Sequence, residues 1–313
     1  MYRLKRIAVA IAGLVGATLL AASCASADDP LPGLGVDLTR SSVSGLSSGA
    51  YMAGQFQVAH SSIVMGAGLV AGGPYGCAQS IAAETVPLWT TALPYNVAQA
   101  LNGCMADRLR SFGVLNANTL ARRAKRLAEE GRIDPIASLA RDRVYLFSAR
   151  GDDTVAESVV KAARDFYLAA GVPEANVTLI TGAPGGHAFL TDNAGTACGL
   201  SEPPYLNDCD KDQAGEILSF IYGNLKPAAE ADPASFLSFD QRPFDTDSGS
   251  AMDDSGYAYI PATCREQPGC AVHIVFHGCR QGTAEVGDVF VRQFGFAQWA
   301  EANRLVVLFP QVR

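Results

Sequence analysis

Residues 38–61 read LTRSSVSGLSSGAYMAGQFQVAHS, and the pentapeptide Gly45-Leu46-Ser47-Ser48-Gly49 at their centre decides how the chain folds. It has the form G-x-S-x-G. A serine on a sharp strand-to-helix turn needs glycine on both sides, because neighbouring backbones pass close to it. Leu38–Val43 reads as the strand leading in, and Ser48–Ser61 has the helical spacing expected leading out. Small-residue pentapeptides also arise by chance, so the motif gains meaning only from its partners. An alkyl hydroxyl is a weak nucleophile without a base, and the base needs an acid to orient it.

Both partners lie downstream. Of the four histidines, only His187 sits in a loop after a strand, in Gly185-Gly186-His187-Ala188-Phe189 beyond Val177–Thr181. His60 falls on the helix after the pentapeptide and reads as a surface or groove residue. His273 lies inside an apolar strand, and His277 belongs to a different motif. The strand Arg143–Ser148 runs into Ala149-Arg150-Gly151-Asp152-Asp153-Thr154-Val155. Ala149, Asp152 and Val155 fit a G-x-x-D-x-x-V turn with alanine for glycine, which makes Asp152 the acid and Asp153 the second candidate. The Arg150-Gly151-Asp152 tripeptide reads as chance. Ser47, then Asp152, then His187 is the chain order of an α/β-hydrolase.

One oxyanion donor is expected from the amide after the nucleophile, that of Ser48. The other comes from a strand-end loop. Ala271–Phe276 runs into His277-Gly278-Cys279-Arg280-Gln281-Gly282, followed by a helical stretch, Phe290–Asn303, and a buried strand, Leu305–Phe309. In ordinary α/β-hydrolases this strand–loop–helix–strand block precedes the nucleophile. Here it follows, which indicates a circular permutation. The expected fold is a mostly parallel sheet with helices on both faces, using Val64–Gly73 as another strand and Val155–Ala170 and Asp212–Tyr222 as further helices. Residues 78–140 read as a mainly helical insertion with Trp89 and a solvated basic face at Arg122–Arg132. Lys226–Ser255, rich in Pro, Ala, Asp and Ser, reads as irregular, with Tyr257–Ile260 a strand after it.

The 313 residues are 49% hydrophobic and 18% charged, the balance of a globular protein. Met1–Arg6 carries three basic residues, Ile7–Ala22 is apolar or small, and Ala25-Ser26-Ala27 gives a cleavage site before Asp28. Residues 1–27 therefore read as a secretory signal peptide. A membrane anchor is disfavoured by the short run, and lipid attachment at Cys24 by the residues before it. Cleavage takes away three positive charges and no negative one, so the net charge goes from −7 to about −10. That argues against nucleic acid or an anionic membrane as partner and suits a neutral or apolar substrate.

Seven cysteines remain after cleavage. In an exported chain these are expected as disulfides. Closeness in sequence suggests Cys198–Cys209, Cys264–Cys270 and Cys77–Cys104. Cys279 is left over and is expected to pair beyond Arg313, in a longer protein of which this chain is a fragment. No C-x-x-C spacing occurs, so no metal is expected.

The segments Gly45–Met52, Val70–Tyr75, Gly186-His187-Ala188 and His277–Gln281 together resemble the short-chain-length polyhydroxyalkanoate depolymerases of extracellular or periplasmic type, with the permuted catalytic domain known as type 2. The resemblance covers nearly all of residues 28–313, which read as one catalytic domain. It implies cofactor-free hydrolysis of ester bonds in poly(3-hydroxybutyrate) or its oligomers, with Ser47, Asp152 and His187 as triad and the Ser48 and Cys279 amides as oxyanion hole. The family's aromatic-rich segment after the last strand is not found here, nor is a separate polymer-binding domain. A small-substrate esterase of feruloyl or acetyl esterase type is the alternative, since fold and triad do not set the substrate. A non-catalytic binding protein is disfavoured by the intact Ser47, Asp152 and His187.

Overall fold

The structure, a computed structural model, describes residues 29–78, 93–109, 111, 115–246 and 251–313. Residues 1–27, expected as a signal peptide and containing Cys24, and Trp89 lie outside the described residues. Strand β1 (Ser41–Leu46) enters the serine turn and helix α1 (Ser48–Ala59) leaves it. Then come β2 (Val64–Val70), α2 (Leu93–Gln99), α3 (Ala117–Glu129), β3 (Arg143–Ala149), α4 (Glu157–Ala169) and β4 (Val177–Ala183). Three short strands follow, β5 (Phe189–Thr191), β6 (Thr196–Ala197) and β7 (Leu206–Asp208), and pair into a small parallel sheet. The chain continues through α5 (Gln213–Tyr222), β8 (Phe236–Asp240), β9 (Ser255–Tyr259), α6 (Ala262–Glu266) and β10 (Ala271–Phe276). It closes with α7 (Thr283–Val286), α8 (Val289–Gln293), α9 (Phe296–Asn303) and β11 (Leu305–Phe309).

Eight strands form one sheet in the order β4-β3-β2-β1-β10-β11-β9-β8. The first six are mutually parallel; β9 pairs antiparallel with β11, and β8 pairs antiparallel with β9 at the edge. The central parallel strands are almost continuously buried, as expected when helices cover both faces. Side chains alternate along a strand, which identifies those faces. Positions 66 and 68 of β2 point at Ile221 and Ile217 of α5, whereas Leu69 points at Gly54 of α1. Hence α1 and α5 lie on opposite sides. Helix α4 sits beside α1, with Tyr167 donating to Gln57 at 2.8 Å. Helix α9 sits beside α5, with the Trp299 indole donating to Asp212 at 2.8 Å.

The parallel pairing of β1 with β10 sets Gly45 opposite Phe276. The serine turn and the His277-Gly278 loop therefore leave the sheet at the same edge, although they are far apart in sequence. His273 clips the two strands together. Its ring nitrogens lie 2.7 Å from Ser42 Oγ and 2.8 Å from Ser44 Oγ, and its ring stacks on Phe296. Complete burial pushes its pKa down to about 3, so it works as a neutral hydrogen-bonding residue of the core, as the sequence suggested.

Several expected boundaries move. Leu38–Arg40 is a 3₁₀ turn capped by Asp37, whose carboxylate accepts from the Thr39 amide, so the strand starts at Ser41 rather than Leu38. The strand expected over Val64–Gly73 stops at Val70, where Ala71 takes φ 53°. The helix expected over Phe290–Asn303 is two helices, broken at Gly295 with φ 87°. The irregular stretch Lys226–Ser255 contains β8. Within the insertion, α2 passes into a π-helical turn, Ala100–Met105, and α3 keeps its basic face largely exposed over buried Leu120, Ala121 and Ala124. The disulfides Cys77–Cys104, Cys198–Cys209 and Cys264–Cys270 are formed as expected. Cys279 is an exposed free thiol in this chain. No helix among the described residues is long and apolar enough to cross a membrane.

Candidate active site

Ser47 stands between β1 and α1 with φ 56° and ψ −123°, a conformation that side-chain-bearing residues rarely adopt. Its amide donates to Val70 O at 2.9 Å and its carbonyl accepts from Tyr51 N at 3.0 Å, so packing on both sides holds the turn. The two glycines of the motif are required by close approach. A Cβ at position 45 would meet Gly49 C at 2.4 Å, and one at 49 would meet Phe276 O at 2.0 Å. The elbow is thus wedged against the end of β10.

The acid and the histidine come from loops after β3 and β4. Two backbone bonds join these loops, Arg150 N to Ala183 O at 2.8 Å and Gly151 N to Gly185 O at 2.9 Å. Asp152 Oδ1 accepts from the amides of Thr154 and Val155, each at 2.9 Å. Both its oxygens face His187 Nδ1, at 3.0 and 2.9 Å. The carboxylate is therefore held by two fixed amides and the imidazole together. Asp153, the second sequence candidate, is exposed and among the described residues its side chain bonds only the neighbouring Thr154 hydroxyl, at 3.4 Å. His187 is buried, its amide donates to Ser201 Oγ at 2.8 Å, and its ring meets Tyr205 edge-on. An imidazole held at Nδ1 by a carboxylate keeps its proton there and leaves Nε2 as the basic nitrogen.

Ser47 and His187 line one cavity of about 380 Å³, together with Ser48, Gly278 and Cys279. Neither the Ser48 nor the Cys279 amide donates a hydrogen bond within the described residues. Their side chains touch, with Cys279 Sγ 3.3 Å from Ser48 Oγ. Two amides beside a nucleophile are what an acyl-transfer intermediate requires for its oxyanion. Buried Gln281 fixes the loop that carries Cys279. Its Oε1 accepts from Gly278 N at 2.7 Å, and its Nε2 donates to Pro204 O at 2.9 Å and Tyr205 O at 3.3 Å. His277 points the other way, packed on Phe290 and accepting from Val312 N at 3.2 Å. Burial lowers its pKa, in keeping with a neutral acceptor. His60 is exposed at the end of α1, its ring tilted against Phe56 with centroids 4.6 Å apart.

No family model matches the chain. It is 33% identical over 291 residues to a polyhydroxybutyrate depolymerase of Talaromyces funiculosus, covering 90% of this chain and 77% of that protein. It is 37% identical over 286 residues to a poly(3-hydroxybutyrate) depolymerase of Delftia acidovorans, covering 90% of this chain and 53% of the relative, about half of its length. A crystal structure of PHB depolymerase from Penicillium funiculosum superposes with a TM-score of 0.74 at 31% identity, covering 91% of this chain and 83% of that one. A serine-to-alanine PHB depolymerase complexed with an R3HB trimer superposes with a TM-score of 0.73, at the same identity and coverage. This chain belongs to the PHB depolymerase family.

The α/β-hydrolase fold read from motif order is the fold that this family shares with the chain. The remaining walls of the cavity had no signal in the sequence. Ala100, Cys104 and Met105 come from the π-helical turn, and Ser201 and Tyr205 from the loop between β6 and β7. The first wall is anchored by the Cys77–Cys104 disulfide and by the Tyr51 hydroxyl, which donates to Cys104 O. Gln281 lies in a segment that carried the resemblance, but nothing in its spacing disclosed a structural role. Among the described residues no cluster of His, Cys, Asp or Glu could hold a metal ion.

Proposed function

We propose that the chain is an exported serine esterase that cleaves ester bonds of poly(3-hydroxybutyrate) or its oligomers. The observation that carries this reading is the conjunction of a strained Ser47 and an Asp152-held His187 in one cavity. Ser47 Oγ attacks the ester carbonyl while His187 takes its proton, and the Ser48 and Cys279 amides receive the oxyanion. His187 then returns the proton to the leaving hydroxyl, water enters, and the same steps run in reverse to release the acid. Asp152 keeps the imidazole oriented throughout. The polyester substrate is favoured over a feruloyl or acetyl ester by the likeness to depolymerases, one of them complexed with an R3HB trimer. Residues 28–313 act as one catalytic domain in this reading. Removal of residues 1–27 during export fits three disulfides in the remainder.

The test compares wild type and Ser47→Ala on amorphous poly(3-hydroxybutyrate) and on the trimer, with soluble products identified. Wild type should release hydroxybutyrate or short oligomers, and Ser47→Ala should lose roughly 10⁴–10⁶-fold in kcat, as triads do when the nucleophile is removed. Near-normal turnover by the variant rules out the mechanism. Turnover of aryl acetates alone rules out the substrate.

A further inference from the structure

The cavity is unevenly charged. Among the described residues its lining contains apolar side chains, hydroxyls, the Gln281 amide, His187 and a thiol, and a single residue of permanent charge, Arg280. Arg280 follows Cys279 directly, so it stands one residue from an amide assigned above to the oxyanion. Its side chain is exposed and makes no ion pair among the described residues, whereas Arg242, Arg292 and Arg313 are each paired with a carboxylate. Its backbone has φ 62°, a left-handed region that side-chain-bearing residues rarely adopt and keep only where surroundings impose it. The imposition is visible. Gln281 N donates to Gly278 O at 3.3 Å, and Gln281 Oε1 accepts from Gly278 N at 2.7 Å, which closes residues 278–281 into a turn. The Gln281 amide then ties that turn to Pro204 and Tyr205. Arg280 therefore leaves the wall at a fixed point.

An unpaired guanidinium at that point suits an anion of planar, two-oxygen geometry. The whole chain is acidic, with a net charge of −7, and repels anions at long range. A local cation is the device that would bring one in. Ester hydrolysis in a polyhydroxyalkanoate creates a carboxylate at the end of every fragment, whereas the interior of the polymer has none. We propose that Arg280 is a specificity-determining residue that binds the terminal carboxylate of hydroxyalkanoate oligomers, so that the enzyme favours free-acid oligomers over chains without a nearby acid end. This rests on the esterase reading above.

The experiment uses the 3-hydroxybutyrate trimer as free acid and as methyl ester, with the wild type, Arg280→Gln and Arg280→Lys. The readout is the ratio of kcat/KM for acid over ester, at low and high salt. Exposed charge pairs are weak and screened, so the ratio should fall about 3- to 10-fold in Arg280→Gln, mainly through KM, and be partly restored in Arg280→Lys. Salt should lower the ratio in the wild type and leave it flat in Arg280→Gln. Calorimetric binding of both trimers to Ser47→Ala, with and without Arg280→Gln, reads the same preference without turnover. Equal loss on acid and ester, or a ratio indifferent to both Arg280 and salt, overturns the proposal. If binding discriminates while the wild type hydrolyses neither trimer, the esterase reading falls and the carboxylate site stands.

Discussion

Helix α1 contains two glycines whose replacement by alanine should have opposite outcomes, and the difference tests how the elbow is built. At Gly54 a Cβ would sit 3.5 Å from Leu69 Cδ1 and 3.6 Å from Tyr167 Oη, ordinary contact distances. Alanine there gains helix propensity and restricts the unfolded chain, together worth about 1 kcal/mol. For a protein of this size that raises Tm by roughly 1–2 °C. At Gly49 the Cβ would sit 2.0 Å from Phe276 O and 2.6 Å from His277 O. Both obstacles are backbone, so no side chain can swing aside. Reaching even a tight contact needs α1 and the end of β10 to separate by about 1 Å, and overpacking of this kind costs about 1–3 kcal/mol or more. The same separation pulls Ser47 away from the loop of Cys279, and a displacement of about 1 Å can lower turnover about 100-fold. Thermal melts and hydrolysis of a chromogenic short-chain ester read both effects. Gly54→Ala should melt higher and keep its kcat, while Gly49→Ala should melt several degrees lower and lose at least about 100-fold in kcat. If Gly49→Ala folds and turns over like Gly54→Ala, the close approach of elbow and strand end is wrong.

Asp152→Asn should cost orders of magnitude in kcat, up to about 10⁴-fold by analogy with other triads, and Asp153→Asn should stay near wild type; an inactive Asp153→Asn with an active Asp152→Asn would reverse the assignment. Gln281→Glu keeps an acceptor for Gly278 N but sets a carboxylate against Pro204 O and Tyr205 O. It should lower kcat more than it raises KM, and an unchanged kcat would remove Gln281 from the positioning of the oxyanion loop. Asp142 is fully buried, with Oδ2 bonded to Gln57 at 2.9 Å and Oδ1 without a hydrogen bond among the described residues, 4.0 Å from Arg141 Nε. Burial pushes its pKa up from 3.8 to about 7, so the folded state holds a proton that the unfolded chain releases, and stability falls as pH rises from about 4 through 7. Asp142→Asn should therefore match wild type in Tm near pH 4 and exceed it above pH 7, and a Tm difference independent of pH would contradict this.

The parts of the molecule legible in the sequence are those where one local pattern fixes the structure. The glycines of the elbow are there because two backbones nearly touch, and that constraint is written at two adjacent positions. The disulfides were readable because Cys198 and Cys209, or Cys264 and Cys270, are separated by 11 and 6 residues. The choice between Asp152 and Asp153 was left open because both lie in the same turn, and only the fold decides which side chain meets the Thr154 and Val155 amides. Strand β8 was missed for a different reason. It pairs only with β9, its side chains are mostly half-buried, and the stretch around it is full of Pro, Asp and Ser. The break at Gly295 was missed because buried Phe290, Phe294 and Ala297, at i, i+4 and i+7, keep a helical spacing straight through it. Ser201 and Tyr205 reach the cavity on loops that carry no periodic signal at all.

The permutation explains why motif order was informative while chain distance was not. Ser48 and Cys279 are 231 residues apart, yet their side chains touch. The contact depends on β1 lying beside β10 in register, so that Gly45 faces Phe276 and both loops emerge at the same edge. His273 bonded to Ser42 and Ser44 fastens that pair from inside the core. The acid and histidine depend in the same way on β3 lying beside β4, with the two loops stapled at Arg150 and Gly151. The relations that bring Ser47, the Cys279 loop, Asp152 and His187 to one edge therefore cross between neighbouring strands, and none requires the chain to run directly from the Cys279 loop into Ser47. Moving the β10–β11 block to the other end of the sequence leaves those neighbours in place, and so the site geometry is indifferent to where along the chain the block is written.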